Sequence, residues 1–404
     1  MSRRLLSVLA AVAGLAACTD ASRLPTVPVA ATSAARAGGG NDAADRVTAA
    51  ALWNQRTRAI IGRRGGSANA AARAFALVSV AQYDAVISAE DTKVRGLHPS
   101  EAAASSAASA AVLAALYPAE QGFIDTQLAA DAAYFPTLPS ERDADFAAGA
   151  AVGRAVAAAL VAYAATDGSK ATWDGSRGPG GWTPISLPPQ DAAWGSVRPW
   201  LMSSGSQFHP VDPPAIGSPQ YLTDLAEVRS YSDRRTPAQL AIAQFWASGY
   251  GAGGPAGYFG ALATQLGTSQ HLDERRMSRV LAVMHMAIMD ASIGCYQAKY
   301  EYWYIRPYQA DPAITVASGV NRPNFPGYPS AHSCLSSAAA GVLAGFFPAA
   351  TDDLHAQVEE AGVSRIYAGL HFRFDVTAGQ TLGYSVAELA LRLAPVGHDA
   401  IPLD

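Results

Sequence analysis

Along most of the chain, apolar residues recur at helical spacing and in long blocks. "DRVTAAALWNQRTRAII" (45–61), "AAARAFALVSVAQYDAVISA" (70–89), "SAASAAVLAALY" (106–117) and "DFAAGAAVGRAVAAALVAYAA" (145–165) each read as a helix, set off from the next by a turn or short polar break. They are rich in alanine and apolar on more than one face, as suits helices that approach closely in a multi-helix core. The rhythm breaks at 166–214, where "DGSRGPGGWTPISLPPQDAAWGSVRPW" and "HPVDPP" mix proline and glycine with Trp182, Trp194 and Trp200. Proline and glycine oppose a continuous helix there, and the large aromatics oppose a solvated linker. The segment reads as a crossover packed over the helical body. Helical patterning returns at 217–231, 236–249 and 254–268, and is strongest at 272–303. Continuous β patterning is sparse. The expected fold class is all-α, a multi-helix bundle, with 43–404 as a single compact helical domain.

Composition supports a packed chain. Half of the 404 residues are hydrophobic and 15% are charged, so the chain can repay its ordering entropy. A formal net charge of −4 offers no general attraction for nucleic acid, and any anion site must be built locally. The N-terminus, "MSRRLLSVLAAVAGLAAC", places Arg3 and Arg4 before a short apolar run, the layout of an export signal. Its ending at Cys18 resembles a bacterial lipobox. That reading makes 1–17 a lipoprotein-type signal peptide, Cys18 the lipidated residue that attaches the chain to a membrane, and 18–42 a flexible tether. An ordinary cleaved export signal is the plainer version. Both place the folded part outside the cytoplasm, in the periplasm or anchored in the cell envelope. Cys295 and Cys334 lack metal-binding spacing and read either as one disulfide or as buried thiols.

The chemistry gathers in the last quarter. In "KYEYWYIRP", Lys299 and Arg306 lie about two helical turns apart, and Pro307 biases Arg306 out of the helix, so the pair straddles a helix end. A compact ammonium and a planar guanidinium suit an oxyanion. In "RPNFPGYPSAHS", Ser330 or Ser333 caps the following helix, whose N-terminal N–H groups offer an anion seat, and His332 can move a proton near neutral pH. In "SRIYAGLHFRFD", Asp375 lies four residues after His371, a spacing that on a helix puts both on one face and lets the carboxylate orient the imidazole. His285, in an apolar helical run, reads as a packed core histidine.

Together these residues form Lys-x6-Arg-Pro, Pro-Ser-Ala-His and Ser-Arg-x5-His-x3-Asp. The three-part pattern resembles the vanadium-dependent haloperoxidase family within the type 2 phosphatidic acid phosphatase superfamily. The likeness extends more loosely to Trp53-Asn54, to "AQYDA" around Asp84 and to "RTPAQLAIAQFW" at 235–246. It implies the multi-helix bundle shared with the superfamily's histidine acid phosphatases. It also implies an oxyanion held by Lys299, Arg306, Ser330, the backbone of Ala331 and Arg365, with His332 as acid/base. His371 would bind vanadate and Asp375 would orient it. Phe325, seven residues before His332, is the halide-site candidate. The implied partners are hydrogen peroxide and a halide. The alternatives are an acid phosphatase taking phosphomonoesters through a phosphohistidine at His371, with no cofactor, and a catalytically weakened anion-binding envelope lipoprotein. One departure stands at the centre: the family's usual glycine between serine and histidine is Ala331. A left-handed backbone there would be strained, whereas an ordinary one would tolerate the methyl group.

Overall fold

Short polar side chains start the helices that the apolar pattern sustains. Thr48, Ser100, Asp145 and Asp273 each accept a hydrogen bond from a backbone N–H three residues on, satisfying a donor left open in the first turn. The computed structural model describes residues 47–94, 98–249, 251–394 and 401, so the expected signal segment at 1–17, Cys18 and the tether at 18–42 lie outside the described residues. Residues Asn41–Asp404 gather into one compact unit. Before the crossover come α1 (Ala49–Arg64), α2 (Ala68–Val94), α3 (Glu101–Leu116), α4 (Gln121–Tyr134) and α5 (Phe146–Thr166). After it come α6 (Pro219–Arg234), α7 (Pro237–Gln244), α8 (Gly254–Ser269), α9 (Glu274–Tyr302), α10 (Pro307–Ala310), α11 (Ala331–Phe346), α12 (Thr351–Tyr367) and α13 (Arg373–Leu393). Among the described residues, extended pairing is limited to isolated bridges, Pro99 with Asp145 and Gly181 with Tyr304, and the fold is all-α.

Helix α9 is the axis of the core, packed by α2, α11 and α13. A helix apolar all round belongs inside, and α9 is buried from Val280 to Tyr296. Within it His285 is a packed residue, stacked on Phe75 at 4.8 Å, with Asn54 Nδ2 3.0 Å from its Nε2. One polar residue of α9, Asp290, holds the crossover: its carboxylate accepts from the backbone N–H groups of Trp200, Leu201 and Met202 at 2.7, 2.7 and 2.8 Å. Trp194 Nε1 donates to Ser292 Oγ at 2.9 Å, and Trp303 Nε1 to the Trp182 carbonyl at 2.6 Å. The crossover is therefore fixed to the body by its aromatic residues, and it rims a cavity of about 630 Å³ lined by Arg73, Tyr117, Trp173, Asp191 and Trp194.

Two local departures from plain helix shape the site. Trp303 takes the left-handed conformation, φ 51 and ψ 40, which ends α9 and turns Arg306 out of it. The expected helix at 236–249 is α-helical only through Gln244; Phe245–Gly249 is a π-helical turn. That wider turn seats the fully buried Trp246, whose Nε1 donates to Glu360 Oε1 at 2.9 Å. Helices α11 and α13 meet at glycines: a Cβ at Gly379 would come within 2.6 Å of the Ser330 carbonyl oxygen, and one at Gly383 within 2.3 Å of that of Cys334. Only glycine permits this approach, which lays the start of α11 against the start of α13.

Candidate active site

Four stretches of chain converge: the end of α9, the 306–333 segment leading into α11, the end of α12, and the 370–375 entry to α13. Lys299, Arg306, Arg365, His371 and Asp375 are all at most 3% exposed. Lys299 Nζ donates to the carbonyls of Pro326 (3.1 Å), Gly327 (2.7 Å) and Pro329. Arg306 is gripped in the same way. Its Nε and Nη2 reach the Phe325 carbonyl at 3.1 and 3.0 Å, Nη2 also reaches that of Pro326 at 3.1 Å, and Nη1 reaches that of Leu370 at 2.9 Å. The remaining contact of Nη1 is with His371 Nε2 at 3.2 Å. Arg365 donates from Nε to Ser364 Oγ at 3.1 Å and from Nη2 to the Ala243 carbonyl at 2.8 Å. The phenyl ring of Phe325 lies 5.3 Å from Lys299 Nζ and 5.2 Å from Arg306 Cζ, within cation–π range of both. The structure thus brings the halide-site candidate against the cations, with its carbonyl holding one of them.

His371 precedes α13 instead of lying on it, so the four-residue spacing to Asp375 is not that of a helical face. Asp375 is the third residue of α13, and its Oδ2 reaches back to accept from the Phe372 N–H at 3.1 Å and from His371 Nδ1 at 2.9 Å. The proton on Nδ1 leaves Nε2 as a lone pair facing Arg306. Burial, then the charges of Arg306 and Lys299, hold His371 well below the usual imidazole value, so its contact with Asp375 is a hydrogen bond of a neutral ring. Burial pushes Asp375 up to about 7, against the pull of Lys299, the Phe372 N–H and Arg306. It also pulls Lys299 down to about 8.

Ser330, not Ser333, is the N-cap of α11, its Oγ accepting from the Ser333 N–H at 3.4 Å, while its own N–H donates to the Asp375 carbonyl at 2.9 Å. Ala331 opens the helix and is not among the residues with positive φ. The backbone at this position therefore needs no glycine, and the N–H of Ala331 stays in the first turn, where helical donors lack partners of their own. His332 is partly exposed; its Nε2 donates to the Trp246 carbonyl at 2.7 Å. Burial and the Arg365 charge take it down to about 3. The carbonyls of Ala243 and Trp246, which hold Arg365 and His332, had no side-chain signature to reveal them. Asp224 was also missed: it is buried and accepts from the Phe374 N–H at 2.8 Å, steadying the first turn of α13. It is one of three carboxylates on α6, with Glu227 and Asp233, and nothing in their spacing set it apart.

The donor set suits an anion. Among the described residues no group of three His, Cys, Asp or Glu converges as a metal site. Lys299 and Arg306 instead bury positive charge beside one carboxylate, Asp375, with Arg365 close by, and buried charge calls for compensation. A tetrahedral oxyanion such as vanadate fits this surplus and the lone pair of His371.

Residues 279–396 match the PAP2 superfamily. Comparison with curated protein sequences finds no match. The fold is similar to the crystal structure of the first bacterial vanadium-dependent iodoperoxidase, at 22% identity and a TM-score of 0.71, covering 84% of this chain and 94% of that one. It is also similar to the holo-type bacterial vanadium-dependent chloroperoxidase, at 12% identity and a TM-score of 0.65, covering 81% and 91% of the two chains. For the apo-type chloroperoxidase the identity is 13%, the TM-score 0.62 and the coverage 80% and 92%. The cluster around His371 thus lies within the residues that match the PAP2 superfamily, on an all-α fold similar to those of the vanadium-dependent iodo- and chloroperoxidases.

Proposed function

We propose that this chain is a vanadate-dependent haloperoxidase, which uses hydrogen peroxide to oxidise halide ions. The observation that carries the reading is the neutral His371 Nε2 lone pair set among buried cations. Bound there, vanadate would supply Lewis-acid activation of peroxide. The chain's own residues do the rest. Asp375 holds the Nδ1 proton and so keeps Nε2 directed at the oxyanion. Arg306 Nη1 exchanges its bond to Nε2 for one to an oxyanion oxygen, and Lys299 and Arg365 add fixed positive charge in a site that excludes water. The N–H of Ala331, in the first turn of α11, would add a backbone donor for the same negative charge. An arriving anion raises the depressed affinity of His332 for a proton, so His332 takes a proton as the oxyanion binds and can return it to a leaving oxygen. The iodide and chloride chemistry of the similar structures supports a halide substrate.

A second reading is phosphomonoester hydrolysis, favoured by the same unprotonated Nε2, which is a competent nucleophile toward phosphorus. Both are tested together. After loading with orthovanadate, the wild-type protein should halogenate a phenolic dye with peroxide and at least one of iodide, bromide and chloride, and His371→Ala should lose on the order of 10³-fold or more. A folded, vanadate-loaded protein inert with all three halides ends the haloperoxidase reading. Phosphate release by the vanadate-free protein, lost in His371→Ala, would replace it with the phosphatase.

A further inference from the structure

Cys295 and Cys334 are free, fully buried thiols that the proposed chemistry does not use. Cys295 lies on α9 one turn before Lys299, and Cys334 lies on α11 one turn after Ser330, so the pair links the two elements that carry the anion cradle. The two sulfurs are close enough to interact, the Cys334 thiol favouring negative charge on Cys295. Cys295 Sγ also lies 3.9 Å from the Pro329 carbonyl oxygen, the acceptor it shares with Lys299 Nζ. One carbonyl therefore separates a sulfur from the cationic cradle.

Buried cysteines in apolar surroundings are inert because the thiolate is the reactive form. The surroundings here are not apolar. Burial pushes the Cys295 thiol up, but the hydrogen bond from Cys334 and the charges of Lys299 and Arg306 outweigh it and leave the thiol below its usual value. Burial and the Cys295 sulfur push Cys334 up instead. One sulfur is set up as the nucleophile and the other retains its proton.

We propose that Cys295 and Cys334 form a peroxide-driven disulfide that ties α9 to the first turns of α11 beneath the cradle. The choice of oxidant rests on the peroxidase reading. The Cys295 thiolate attacks one peroxide oxygen; the O–O bond breaks and the other oxygen leaves as hydroxide, which takes a proton to become water. Cys295 is then a sulfenic acid. The Cys334 sulfur attacks it, the S–S bond forms, the S–O bond breaks, and hydroxide leaves with the Cys334 proton as a second water. Two thiols give up two electrons and two protons to one peroxide. The cross-link holds Lys299 in register with Ser330 whenever the oxidising substrate is abundant.

The test uses the full chain with Cys18→Ser, fully reduced, treated with hydrogen peroxide without halide or vanadate, then denatured and alkylated. The expected result is loss of both alkylatable thiols, a peptide pair joining Cys295 and Cys334 that dithiothreitol releases, and a higher Tm for the oxidised protein. Cys334→Ser should trap Cys295 as a sulfenic acid that reacts with dimedone. Two thiols that remain alkylatable, or a Cys295 oxidised to sulfinic acid beside a free Cys334, would overturn the proposal. A protein that cross-links but does not halogenate overturns the peroxidase reading alone, and one that halogenates with both thiols free overturns this inference alone.

Discussion

The helices before the crossover and those after it bury charge in opposite ways. In the first group Arg56 meets Asp131 with two bonds of 2.6 and 2.7 Å, and the same carboxylate accepts from Trp53 Nε1 and Ser106 Oγ. Arg73 likewise meets Asp167 at 2.6 Å. In the second group Lys299 and Arg306 are fully buried, yet their donors go to the carbonyls of 325–329 and Leu370 and to an imidazole. Carbonyl oxygens satisfy the geometry of a cation's donors without cancelling its charge. The first arrangement is closed on itself and serves the fold; the second leaves a positive field that, on the proposed function, a mobile anion would complete.

The sharpest way to break this contrast is Asp131→Ala, which leaves the largely buried Arg56 guanidinium and Trp53 Nε1 without their acceptor. It should cost about 3–5 kcal/mol in denaturant unfolding and leave vanadate affinity unchanged; a matching loss of vanadate binding would mean that the two regions are not separable. Next is Arg365→Met. A saturating oxyanion at a hundredfold over its Kd should stabilise the wild type by about 2.7 kcal/mol, read as a rise in Tm, and the variant should lose more than half of that rise. The third concerns pH. His332 is held in the fold at about 3, below its ordinary 6.5, so the unfolded chain binds the proton more readily. Its contribution to stability is complete above pH 6.5 and is lost as pH falls toward 3. Solvent screening of the partly exposed ring reduces the effect to about 1 kcal/mol, and His332→Gln should flatten Tm against pH across that window. The smallest effect belongs to Ala331→Gly. Its backbone is already helical, so the change should cost under about 1 kcal/mol and alter turnover little.

The division between what the sequence disclosed and what it did not follows the same line. Apolar periodicity located the helices because burial acts on side chains, and 272–303 became α9 within two residues at either end. Lys299, Arg306, Arg365, His332, His371 and Asp375 stood out through the spacing of their three motifs, and the structure brings them together. Their partners did not stand out: Ala243, Trp246, Pro326 and Gly327 act through carbonyls, which every residue possesses. The His371–Asp375 spacing was ambiguous because a helical face and an N-terminal cap both bring the two side chains together. Asp290 carries a signal of its own, since one carboxylate inside "VMHMAIMDASIG" needs donors, and the crossover supplies them.

The glycine contact between α11 and α13 also bears on how such a site can change. At Gly379 and Gly383 even a methyl group would strike backbone, so that wall is closed to variation. The 325–329 loop grips Lys299 and Arg306 through main-chain oxygens, but residues 326–329 are themselves buried and a Cβ at Gly327 would stand 3.0 Å from the Ile305 carbonyl oxygen, so packing constrains that side as well. A search for variants with a new substrate range should therefore leave the helix seam and residues 326–329 alone and vary Phe325, the partly exposed side chain that lies against both cations.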